Sequence, residues 1–85
     1  MVYVVFYSSD FRKENFSYPI CVQKTLEGGT KALNDLLKKD DYKDYEPEDT
    51  LDIFKDQVKG GTLLKAISLF DYMMTFCLIE MDVED

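Results

Sequence analysis

The sequence predicts a small α+β domain: a three- or four-stranded, mostly antiparallel sheet with two helices on one face, in the order β-β-α-α-β-β. Three observations lead there. Tyr72–Met81 is a nearly uninterrupted apolar run, the mark of a strand buried on both faces. Val2–Tyr7 and Tyr18–Lys24 are rich in the β-branched and aromatic residues that favour strands. Between them and the last run, apolar residues recur at helical spacing, punctuated by Gly28-Gly29 and Gly60-Gly61.

Taken in order, Val2–Tyr7 alternates Val2, Val4 and Phe6 against Tyr3, Val5 and Tyr7, so a strand is expected. The polar loop Ser8–Ser17 follows, holding Phe11, Arg12, Lys13 and Phe16. Such a loop is either a contact site or a flap whose two phenylalanines fold back on the sheet. Pro19 lacks an N–H and marks the start of the second strand or an edge position. After Gly28-Gly29, Thr30 can cap a helix over Lys31–Asp40, with Ala32, Leu33, Leu36 and Leu37 as its apolar stripe. Pro47 suits the first turn of a second helix over Glu48–Lys59, carrying Leu51, Ile53, Phe54 and Val58. Thr62–Phe70 reads either as a strand pairing with Tyr72–Met81 or as a helix capped by Thr62, with the strand favoured. In the last strand Tyr72, Met74, Phe76, Leu78 and Glu80 share one face, and Met73, Thr75, Cys77, Ile79 and Met81 the other. With helices on one side only, the second apolar face needs another cover, and a two-fold partner, making a homodimer, is a natural candidate.

All 85 residues fit one domain, residues 1–85, and 46% hydrophobic content is enough for autonomous folding. The net charge of −7 argues against direct binding to nucleic acid or an anionic membrane surface. No run is long enough to span a bilayer and no basic segment precedes an apolar one at the start, so the chain is expected to be cytoplasmic and complete from Met1. Cys21 and Cys77 both fall in apolar stretches. Buried, reduced thiols are expected, with a disulfide or a reactive thiol as the alternative. Histidine is absent, which removes the commonest general base and the commonest transition-metal ligand.

The charge is concentrated. Residues 40–56 carry Asp40, Asp41, Asp44, Glu46, Glu48, Asp49, Asp52 and Asp56 against only Lys43 and Lys55. An EF-hand loop needs alternating oxygen ligands and a glycine at its sixth position, and this stretch has neither. Exposed acids lack the perturbed environment that acid–base catalysis needs, and the double glycines lack the rest of any phosphate-binding signature. Neither a catalytic residue, a metal ligand nor a cofactor is therefore assigned, and the protein is expected not to be an enzyme.

What remains is recognition. Asp40, Asp41, Tyr42, Asp44, Tyr45, Glu46, Glu48, Asp49 and Asp52 are the candidate partner-binding residues. Spaced carboxylates resemble phosphates to a basic groove, and tyrosines add contact area at low entropy cost. The expected role is a small acidic inhibitor or adaptor facing a basic protein partner, with nucleic-acid mimicry its sharpest form. The alternative is a structural or oligomeric subunit that docks through an apolar sheet face.

Overall fold

The computed structural model describes residues 1–9, 16–55, 61–69 and 74–82. Among these described residues the framework is one antiparallel sheet of five strands: β1 (Val2–Ser9), β2 (Phe16–Gln23), β3 (Glu48–Asp49), β4 (Thr62–Leu69) and β5 (Met74–Met81). The spatial order is β2-β1-β5-β4-β3, and every neighbouring pair is antiparallel. The two helices are α1 (Leu26–Leu37) and α2 (Leu51–Phe54).

The most apolar strand occupies the middle. β5 is bonded to β1 on one side and to β4 on the other, and Thr75 to Ile79 are all buried. Its alternation divides the core in two. On one face Phe76 and Leu78 meet Val5, Ile67, Leu69 and the α1 residues Leu33 and Leu36. On the other, Cys77 and Ile79 meet Leu63, Ala66 and the α2 residue Phe54, with Phe6, Leu51 and Met81 around them. Phe76 is completely buried, which for a side chain of this size stabilises by about 1.5–3 kcal/mol.

The α+β class, the antiparallel sheet and the two helices match the sequence reading. Thr62–Leu69 is a strand, as favoured, and Pro19 lies on an edge strand, beside the register shift of β1–β2, both places where a residue without an N–H is tolerated. Four details differ. First, the helices lie on opposite faces, so α2 packs on the side for which a second copy of the chain is the expected cover.

Second, α1 begins at Leu26, with Thr25 rather than Thr30 as its cap; Thr25 Oγ1 accepts a hydrogen bond from Gly28 N at 2.9 Å. Gly28-Gly29 therefore lies within the first turns instead of preceding the helix. At Gly29 a Cβ would stand 2.8 Å from Leu78 Cδ1 and 3.1 Å from Tyr3 Cβ. The glycine is there for close approach of helix to sheet.

Third, Glu48–Asp49 is not helical but pairs with Ser68 and Ile67 of β4, and this fifth, two-residue strand is the one beyond the expected number. Fourth, α2 is a four-residue piece. The end expected for it, Val58–Lys59, lies outside the described residues. So do Phe11, Arg12 and Lys13 of the first loop, and the turn at Asp71.

Both long hairpins carry a register shift. In β1–β2 it leaves Ile20 as the extra residue, between Pro19 opposite Phe6 and Cys21 opposite Val5. In β4–β5 it leaves Leu64, between Leu63 opposite Ile79 and Lys65 opposite Leu78. The second shift explains how Leu63 and Ala66, three residues apart, serve the same face of the core, where regular alternation would put them on opposite faces, while the strand bends around the sheet.

Candidate functional site

The acidic connection runs from the end of α1 to α2 along the β4 side of the sheet. Asp40, Asp41, Asp44, Tyr45, Glu46, Glu48, Asp49 and Asp52 are all exposed. The side chains of Asp40 and Asp52 retain 93% and 95% of their accessible surface. Two lysines stand among them. Lys43 Nζ lies 3.2 Å from Asp40 Oδ1, and Lys55 Nζ lies 3.7 Å from Asp52 Oδ1. These solvated pairs are each worth about 0.2–1 kcal/mol and leave most carboxylates facing water. Asp56, the eighth acid, lies outside the described residues.

Tyr42 departs from its expected role. Both tyrosines of this stretch read from the sequence as partner-contact residues, yet the Tyr42 ring meets Phe76 edge-on, centroids 5.0 Å apart at 70°. It is half-buried against the larger core cluster. Tyr42 thus fastens the connection to the sheet, and Tyr45 is the exposed ring of the pair. Around Tyr42 the backbone is turned tightly, Tyr42 N and Lys43 N both donating to Lys39 O at 2.9 Å.

A second fastening lies at Thr50. Its N–H donates to Ala66 O at 2.9 Å, continuing the β3–β4 ladder. Its hydroxyl is buried and lies 2.9 Å from Ser68 Oγ, which lies 2.9 Å from Thr75 Oγ1. Ser68 has one hydroxyl proton, so it donates to one threonine and accepts from the other. The chain of three hydroxyls crosses from the acidic connection through β4 to the central strand, and its members are 1–2% exposed. Because Thr50 Oγ1 is engaged with Ser68, it does not cap α2. Asp49 Oδ1 accepts from Leu51 N at 3.0 Å instead. One of the nine candidate residues therefore has a structural duty in addition to its exposed charge.

The sequence reading missed Thr50, Ser68 and Thr75. A signal existed: Ser68 and Thr75 are single hydroxyls within otherwise apolar strand segments, where a lone polar group needs a partner.

Of the cysteines, Cys77 is buried and Cys21 half-buried, and both are free thiols. Burial pushes the Cys77 thiol up to about 11, so it is protonated at neutral pH and a poor nucleophile. Among the described residues no three Cys, Asp or Glu side chains are grouped to hold a metal ion, and no helix is long and apolar enough to cross a membrane. Compared with family models, with curated proteins and with solved structures, the chain matches none.

Proposed function

We propose that this protein is a non-enzymatic binding module that presents its acidic connection to a basic partner protein, as an inhibitor or adaptor. One observation carries the reading: the most acidic stretch of the chain is exposed yet fastened to the body at Tyr42, at the β3–β4 ladder and at Thr50. A merely solubilising loop needs no such anchorage. A charged surface held in place loses little entropy on binding and steers association. The contact set is Asp40, Asp41, Asp44, Tyr45, Glu46, Glu48, Asp49 and Asp52, with Tyr42 as its support. Mimicry of a nucleic-acid backbone is the specific form in which the partner is a nucleic-acid-binding protein.

A second reading has its own observation. Val22 is 58% and Ile20 39% exposed on the edge strand β2, an apolar edge through which a structural subunit, including a second copy, would dock.

One experiment separates them. The parent, the acid-reversed variant Asp41→Lys/Asp44→Lys/Glu48→Lys and the edge variant Val22→Asp are used as bait at low salt, and retained partners are identified. The acidic-surface reading expects the acid-reversed variant to lose the partner, and the complex to weaken several-fold when salt rises to about 0.5 M. Added DNA should compete if the partner binds nucleic acid. Retention by the acid-reversed variant with loss by Val22→Asp would transfer the function to the β2 edge.

A further inference from the structure

A cleft of about 530 Å³ opens where the last turn of α1 meets the connection that follows it. That volume falls within the range of small-molecule sites. Leu37, Pro47 and Leu69 supply apolar walls, and four polar side chains complete the lining: Asn34, Lys38, Lys43 and Tyr45. In a chain of net charge −7, this described lining holds two ammonium groups and no carboxylate. Asp40 and Asp44 flank Lys43 closely in sequence, and Asp40 pairs with it, yet neither is among the residues that line the cleft.

Two of the last four α1 carbonyls are already satisfied, which reduces the backbone's opposition to an anion there. A helix C-terminus normally favours cations because its last carbonyls are unsatisfied. Here Asp35 O accepts from Lys38 N, Leu36 O from Lys39 N, and Lys39 O from Tyr42 N and Lys43 N. Lys38 forms no ion pair among the described residues. The Lys43–Asp40 pair is exposed on both sides, so a ligand carboxylate can compete for this ammonium at small cost.

We propose that the cleft binds a small organic anion with an apolar body, a carboxylate on an aromatic or branched aliphatic frame. The apolar part lies against Leu37, Pro47 and Leu69, the carboxylate is directed to Lys38 and Lys43, and Asn34 and Tyr45 contribute hydrogen-bonding groups. The lysines act as point charges that accept a carboxylate or a phosphoryl group, so the preference over inorganic phosphate comes from the apolar body laid on Leu37, Pro47 and Leu69. The ligand has the sign opposite to the partner of the acidic surface, and the site stands independently of that reading.

The test is a titration followed by NMR of the Leu methyl and Tyr ring signals, with 3-phenylpropionate, its neutral analogue 3-phenylpropan-1-ol, and inorganic phosphate as probes. The carboxylate should give saturable shifts centred on Leu37, Tyr45 and Leu69. Two exposed charge pairs, each worth about 0.2–1 kcal/mol, predict binding about two- to thirtyfold tighter than the alcohol. Lys38→Gln/Lys43→Gln should erase that preference while melting like the parent, since both changes lie on the surface. Added salt gives the same readout on the unaltered protein, by weakening the carboxylate more than the alcohol. The proposal is overturned by absence of saturable shifts up to about 10 mM. It is overturned equally by an alcohol that binds as tightly, by phosphate binding as well as the carboxylate, or by a charge-free variant that keeps the preference.

Discussion

Ser68→Ala is the most informative single change to the hydroxyl chain. Ser68 is 1% exposed and touches both Thr50 and Thr75, which are 2% and 1% exposed. Alanine removes both hydrogen bonds and leaves two buried hydroxyls each short of a partner. A buried group so orphaned costs about 1–3 kcal/mol. Each threonine can rotate its hydroxyl, which recovers part of that loss, so a net loss of about 2–4 kcal/mol is expected. Against a total stability of about 5–15 kcal/mol the effect is large.

The triple variant Thr50→Val/Ser68→Ala/Thr75→Val should be less damaged than Ser68→Ala alone, by about 1 kcal/mol or more. It removes the orphans along with the bonds and keeps the β-branched shapes. Urea denaturation of parent, single and triple variants, with shared slopes, reads this directly. A loss below about 1 kcal/mol in Ser68→Ala, or a triple variant worse than the single one, would refute the account of the chain as a mutually satisfied network.

Two further outcomes follow from the core. Gly29→Val should destabilise by about 1–3 kcal/mol by overpacking against Leu78 and the Tyr3 Cβ; thermal unfolding showing no loss would mean that α1 sits further from the sheet than these contacts require. The raised Cys77 thiol makes a linked prediction, because a folded-state value of about 11 exceeds the ordinary thiol value. Its contribution is intact below the unfolded value of about 8.5 and is lost as pH climbs through the folded one, so stability should decline over that alkaline window. At pH 8 a thiol reagent should modify Cys21 well before Cys77, and equal native rates would contradict the burial of Cys77.

The strands were legible because their signals are local. Val2–Tyr7 and the final run declare themselves by composition, and Pro19 narrowed its place to the start of β2 or an edge, of which the edge is the one found. Placing α2 required knowing where Phe54 would pack, and periodicity cannot say which side of a sheet a stripe chooses. Pro47 misled for a related reason: Glu48 and Asp49 are good residues for a helix start, but β4 offered them a ladder and tertiary pairing overrode propensity. Gly28-Gly29 looked like punctuation because a glycine's need for space is invisible until its neighbours, Tyr3 and Leu78, are in place. At the acidic site, charge density and exposure were readable from the sequence. The anchoring role of Tyr42 was not, since it depends on Phe76 far along the chain.

The pairing of β1 with β5 has a consequence for synthesis on the ribosome. Val2 lies opposite Met81 and Ser9 opposite Met74, so the first strand made acquires its inner neighbour only from the last. At about 5–20 residues per second, β1 waits roughly 4–16 s for that neighbour to be translated. In the meantime it has β2 and α1, whose Gly29 and Leu33 sit against Tyr3 and Val5, but lacks the strand at the centre of both core clusters. Both halves of the core therefore stay incomplete until β5 emerges, because Phe76 and Leu78 on one face and Cys77 and Ile79 on the other come from that strand.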